Sequence, residues 1–256
     1  MTAERAERTE RTERTARLAH GALTGQAEDY LKAIYESAKV KQNGAAATND
    51  IAARLGIAPA SVSGMLQRLA RLGLVKVERY RGARLTAQGR RIALQLLRRH
   101  RIIEVFLTTQ LGYGWDDVHD EAERLEHAAS SELIERMAKA LGNPRSDPHG
   151  APIPTADGEV DERRLPTLAE LPELATATVV RVSDRDPAFL RYLDALGIRP
   201  GSVVTVTLRE PFEGPITVKL GKVKQVLGSG AAARVYIEQQ SGLKSRKPVS
   251  GGRKRQ

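Results

Sequence analysis

Apolar residues recur every three or four positions at Ala27, Tyr30, Leu31, Ile34, Tyr35 and Ala38, which predicts an amphipathic helix over residues 26–39. After a Gly/Ala turn, Thr48 is expected to cap a short helix through Ile51, Ala52 and Leu55, stopped by Gly56. Pro59 suits the first turn of a third helix from Ala58 to Arg71, with Val62, Met65, Leu66 and Leu69 facing inward and Gly73 ending it. Leu74 to Tyr80 then alternates as a strand does, Arg81-Gly82 turns, and Ala83 to Leu85 returns. Thr86 caps a long helix to about Leu107, and a further helix is expected from about Asp116 to Leu141.

The pattern changes after that. Residues 143–173 hold six prolines and few large apolar side chains, and read as a linker. Strands are predicted at Thr178–Val182, Ser202–Leu208, Ile216–Leu220 and Ala233–Glu238, with a short helix at Leu190–Leu196, the outline of a small β-barrel-like domain over 174–241. Residues 1–17 alternate Glu and Arg, the whole of 1–25 is expected to form a solvated arm, and 242–256 form a basic tail. The chain is thus mainly α with a C-terminal β domain. Residues 26–98, helix, helix, turn, helix and basic hairpin, have the order of a winged helix-turn-helix, and 99–142 form a helical domain.

Charge locates the function. The 256 residues carry a net charge of +10, unevenly spread: residues 26–99 hold 14 Lys/Arg against 5 Asp/Glu, and 104–173 hold 6 against 16. A basic winged helix is the electrostatic footprint of double-stranded DNA binding. The candidates for DNA contact are Thr48; Pro59, Ala60, Ser61 and Ser63 at the start of the recognition helix; Arg68 further along it; and Tyr80, Arg81 and Arg84 in the wing. Short hydroxyl and methyl side chains suit close entry into a major groove, and arginines suit phosphate. A winged helix used only for protein contacts is the plainer alternative. The chain has no cysteine, so a metal site would use oxygen and nitrogen donors, and a reducing cytoplasm is the expected setting. No long uncharged apolar run predicts a membrane span.

Three of the five histidines fall among carboxylates between 100 and 127. His100 and Glu104 are four apart on one helix, and Glu123, Glu126 and His127 share a face of the next, with His119 one turn before. Single residues of this kind are more often structural, but the paired pattern points to a cation held by N and O donors. His-Glu-x-x-His is absent, and Arg124 stands where a Glu-x-x-His motif would need Glu before His127.

The segments Ala27–Glu36, Pro59–Ser63, Tyr80-Arg81-Gly82, Arg99-His100-Arg101 and, most specifically, Val118–His127 resemble the diphtheria-toxin-repressor family of metal-dependent transcriptional regulators. The resemblance spans about residues 26–240 and includes Ser183–Pro187 and Leu190–Leu193 of an SH3-like domain. It implies a homodimer that binds palindromic operators when loaded with divalent metal, with residues 99–142 serving metal binding and dimerisation. It assigns Asp29, Glu123, Glu126 and His127 to a regulatory site, and His100, Glu104 and His119 to a second site, with Asp184 a candidate to complete it. Asp29 and Glu123 stand where iron-sensing members carry Met and Cys, which favours Mn²⁺, with Fe²⁺ the alternative. Lys32 departs from a compact manganese-branch member that has Glu there, so a binuclear arrangement through that Glu cannot form. Dimer contacts are expected on Leu125, Leu133 and Met137. A metalloenzyme with an appended DNA-binding module, or a regulator of a small ligand, are readings from other classes.

Overall fold

In the computed structural model, the described residues are 23–39, 44–78 and 81–239. The expected arm and tail therefore fall largely outside them, as do Arg79 and Tyr80. The chain divides into two compact units, one up to Glu162 and one from Arg163.

The first unit begins with α1 (Gly25–Lys39), α2 (Thr48–Leu55) and α3 (Pro59–Arg71), followed by a hairpin of β1 (Val75–Glu78) and β2 (Gly82–Leu85). The apolar faces read from the sequence meet in one core: Leu31 and Ile34 of α1, Ile51 of α2, Val62, Leu66 and Leu69 of α3, and Ala83 of the wing. Pro59 occupies the first turn of α3 as its fixed φ allows. Thr48 differs from expectation. It is the first helical residue of α2, and Ala47 is the cap, without a side-chain bond. The wing gains a third short edge, because Ala46 and Ala83 exchange backbone hydrogen bonds of 2.9 and 2.8 Å. This approach requires Gly82, at φ +93°, where a Cβ would lie 2.0 Å from the Ala46 carbonyl oxygen.

Thr86 accepts a bond from Gly89 N–H and starts α4 (Ala87–Leu111), a 25-residue helix about 37 Å long. Its first half, with Ile92, Ala93 and Leu97, closes the DNA-binding core. Its second half, with Ile102, Ile103 and Leu107, builds another core against Val118, Ala122, Ile134 and Ala138. One rigid rod thus joins the two modules, and His100 lies where they meet.

The single helix expected from 116 to 141 is two: α5 (Val118–Glu126) and α6 (Ser131–Ala140). Ser130 decides the break, because its side chain accepts from Leu133 N–H and starts a new helix. Leu125 and Leu133 are therefore on different helices, 40% and 44% exposed, while Met137 packs against the core. The segment expected to be a linker is not uniformly exposed. Asp147, His149, Ala151, Ile153, Leu168 and Leu171 are buried. Asp147 organises part of it, accepting from the backbone N–H of His149 and Ala151 at 2.9 Å each. Val160 packs against the DNA-binding core, and Glu162 accepts hydrogen bonds from Tyr35 (2.6 Å) and Arg90 (2.8 Å).

The second unit is an antiparallel sheet of five strands in the order β6-β5-β4-β3-β7: β3 (Thr176–Val182), β4 (Val203–Arg209), β5 (Ile216–Leu220), β6 (Val223–Leu227) and β7 (Val235–Gln239). α7 (Pro187–Ala195) and a one-turn α8 (Ser229–Ala232) complete it. Ala177, Val179, Val204, Val206, Ile216, Val218 and Ile237 are fully buried, and register shifts in β3 and β4 bend the sheet over them. β6 was missed in the sequence because, as an edge strand, it buries only Leu227 and shows no alternation. No helix among the described residues is long and apolar enough to cross a membrane.

Candidate metal centre

α1, α4 and α5 converge at the joint of the first unit, and their polar faces meet in adjoining clusters. In one, His100 Nε2 lies 3.0 Å from Glu104 Oε1 and 3.0 Å from His119 Nδ1, which is 3.2 Å from the same Glu104 oxygen. The four-residue spacing on α4 aligns His100 with Glu104, and α5 brings His119. Three donors 3.0–3.2 Å apart match the edges of an octahedron with bonds of about 2.1–2.3 Å, so the set fits a small divalent cation.

In the second cluster, His127 faces α1 from the C-terminal cap of α5. Its Nε2 lies 2.9 Å from Asp29 Oδ1 and 3.7 Å from Glu126 Oε1, and its Nδ1 lies 2.9 Å from Glu28 Oε2. Gly25 leaves room for the ring: a Cβ there would lie 3.1 Å from His127 Cγ, a tight contact. Glu126, fully buried, belongs to both clusters: Oε2 is 2.7 Å from His100 Nδ1, and Oε1 is 2.6 Å from Lys32 Nζ. Glu123 is exposed, with Oε1 3.4 Å from Lys32 Nζ and 3.6 Å from His119 Nε2.

The electrostatics follow from burial opposed by these contacts. Burial works against a charged His100, but Glu104 and Glu126 raise its pKa to about 10. Burial also opposes ionisation of Glu104 and Glu126, yet His100 holds both below the usual carboxylate range, helped at Glu126 by Lys32. Burial pushes the Asp29 carboxyl up, only partly countered by His127 and Lys32. His127 is raised against its burial by Glu28 and Asp29. The centre is a dense set of carboxylates held together by protonated groups.

A third group, Glu104, Asp147 and His149, lies in the interior beside the first, all three essentially buried. His149 Nε2–H donates to the Trp115 carbonyl at 2.6 Å, and its ring stacks on Trp115. Glu104 Oε2 and His149 Nδ1 are buried atoms with no hydrogen-bond partner. Sequence reasoning missed Asp147 and His149 because they sit in the proline-rich stretch. The available signal was one of five histidines two residues after an aspartate. Glu28 was also missed, hidden next to Asp29. Asp184 lies in the second unit, in the turn between β3 and α7.

On the DNA side, Pro59, Ala60, Ser61, Ser63, Arg68 and Arg81 are exposed, while Thr48 is half-buried. Arg84 is half-buried and forms an ion pair with Glu78 across the wing, Nε to Oε1 2.9 Å. Tyr30, next to Asp29, places its hydroxyl 3.4 Å from the Ser61 carbonyl, joining α1 to the recognition helix.

Residues 22–83 match the family model for the N-terminal DNA-binding domain of iron-dependent repressors, and 86–155 match their metal-binding and dimerisation domain. Residues 167–239 match the FeoA domain. The diphtheria toxin repressor of Corynebacterium jeikeium is 33% identical over 212 residues, covering 73% of this chain and 87% of that one. The chain belongs to the diphtheria toxin repressor family. It is a metal-dependent transcriptional repressor of that family, with the winged-helix, helical and SH3-like parts that the sequence led us to expect. Within the family, the iron-dependent repressor IdeR of Mycobacterium leprae is 33% identical over 198 residues, covering 72% of this chain and 84% of that one. Among solved members, a manganese-dependent transcriptional repressor in complex with manganese is 40% identical, with a TM-score of 0.76 over 84% of this chain and all of that one. The manganese regulator SloR is 33% identical, with a TM-score of 0.70 over 84% of this chain and 98% of that one.

Proposed function

We propose that this repressor senses Mn²⁺ through Asp29, Glu123, Glu126 and His127, and binds palindromic operators as a homodimer when that site is filled. The observation that carries the reading is the pairing of Asp29 with His127 and Glu126 across the joint between modules. Asp29 is on α1, which packs in the DNA-binding core, and Glu126 and His127 end α5 in the helical domain. A bound cation would supply positive charge to this carboxylate-rich cleft and a bridge between the two helices. Asp29 then holds α1, and Tyr30 passes its position to the recognition helix at Ser61. A fixed joint sets the separation of two recognition helices, which a palindromic site requires to be about one DNA turn, roughly 34 Å. Pro59, Ala60, Ser61 and Ser63 would face base edges, and Thr48, Arg68, Tyr80, Arg81 and Arg84 the backbone.

His100, Glu104 and His119 would hold a second cation, with Asp147 and His149 beside them. The donors are hard oxygens and imidazoles without sulfur, which suits Mn²⁺. Fe²⁺ is the second reading, favoured by the iron-dependent relatives and by the usual affinity order of divalent ions for N/O sites. The exposed Leu125 and Leu133 are the proposed dimer contacts, and the cytoplasm the proposed location.

The test is fluorescence anisotropy on an operator selected from genomic fragments, titrated with Mn²⁺, Fe²⁺ or Zn²⁺. Wild type should gain operator affinity with Mn²⁺, and Asp29→Ala should remain a folded dimer without that gain. Metal-dependent binding of Asp29→Ala at the wild-type level would overturn the assignment.

A further inference from the structure

The cleft around Glu126 already contains a cation belonging to the protein. Lys32 comes from α1, three residues after Asp29, and its side chain is only 11% exposed. Its ammonium lies 2.6 Å from Glu126 Oε1 and 3.4 Å from Glu123 Oε1, so it contacts two of the four side chains assigned above to the regulatory metal. Glu126 Oε1 is also its oxygen nearer His127 Nε2, and Oε2 is occupied by His100. The oxygen that Glu126 presents to the cleft is therefore the one that Lys32 holds.

We propose that Lys32 is a tethered competitor that sets the metal concentration at which this repressor responds; the proposal rests on the regulatory-site reading. A divalent ion and an ammonium cannot share one carboxylate oxygen in a half-buried cleft without strong repulsion. Metal binding therefore requires Lys32 to give up Glu126. Loss of that ion pair subtracts from the metal's affinity, as any competing ligand would. Lys32 also bridges α1 to α5, the same two helices that Asp29 and His127 join. A lysine serving the fold alone would have the opposite signature: its removal would loosen the cleft and weaken metal binding.

Isothermal calorimetry of Mn²⁺ binding to the full-length chain, without DNA, separates these cases. The quantity read is the binding component that disappears in Asp29→Ala, which isolates this site from the His100 cluster. Lys32→Gln should tighten that component at least tenfold, and Lys32→Arg, which keeps the charge, should leave it within about threefold. Circular dichroism melts confirm that the variants are folded, and Lys32→Met replaces Lys32→Gln if the latter is not. Unchanged or weaker Mn²⁺ affinity in the folded neutral variant overturns the role of Lys32. If Asp29→Ala removes no binding component at all, the regulatory-site reading falls instead, so the two failures are distinguishable.

Discussion

Glu126 and Asp29 belong to the same cluster, yet the structure implies very unequal costs of their loss to the stability of the fold. The Glu126 carboxylate is fully buried and pairs with Lys32 at 2.6 Å and His100 at 2.7 Å. Glu126→Ala leaves two buried positive groups facing each other. Breaking a buried pair from one side costs about 3–5 kcal/mol. Glu104 still faces His100 and Glu123 still faces Lys32, so the lower part of that range, about 3 kcal/mol, is expected. Asp29 is half-exposed, and burial raises its pKa, so its charge is poorly accommodated among its neighbours. Asp29→Ala loses the His127 contact but also removes that cost, and should stay within about 1 kcal/mol of wild type. Urea unfolding in chelator measures both. The only tryptophan, Trp115, is buried beside His149 in the first unit and reports on that unit alone. With a slope of about 2 kcal/mol/M, Glu126→Ala should lower the midpoint by about 1.5 M and Asp29→Ala by less than about 0.5 M. A Glu126→Ala midpoint within about 0.5 M of wild type would refute the buried-pair reasoning, as would equal losses in the two variants.

Two more outcomes follow from ion pairs outside the centre. Burial works against ionised Glu162, but bonds from Tyr35 and Arg90 hold its carboxyl below the usual 4.5. A depressed carboxyl contributes stability above its unfolded pKa and loses it as pH falls through the folded value, so Glu162→Gln should flatten the loss of stability below about pH 4.5. Thermal melts across that range check it, and an unchanged acid limb counts against the contact. In the wing, Glu78 neutralises Arg84 at 2.9 Å. Glu78→Gln should therefore strengthen binding to any duplex and steepen the salt dependence by roughly one counterion, read by anisotropy against salt. A sequence-selective gain would contradict a phosphate role for Arg84.

Much of the helical domain and DNA-binding module was legible because their signals are local. Apolar spacing marked α1 and α3, Pro59 and Thr86 marked helix starts, and the pairing of Glu104 with His100 is a matter of helix pitch. The break at Ser130 was not legible, since a serine at that spacing can also sit within a helix. Only the folded backbone shows it accepting from Leu133 N–H. Asp147 and His149 were obscured by surrounding prolines, which read as linker whether or not the side chains between them are buried.

The sequence by itself determined which side chains are available: hard N and O donors without sulfur, helical spacing that aligns them, and a basic module before an acidic one. Tertiary structure decided which of them meet. Asp29 and His127 are 98 residues apart, and Lys32 and Glu126 are 94 apart. Periodicity assigns each to a face of its own helix and says nothing about the face opposite. Whether Lys32 projects into water or caps the buried Glu126 depends on how α1 docks on α4 and α5. That docking is set by the packing of Leu31, Ile34, Leu97 and their neighbours, not by any property of the lysine.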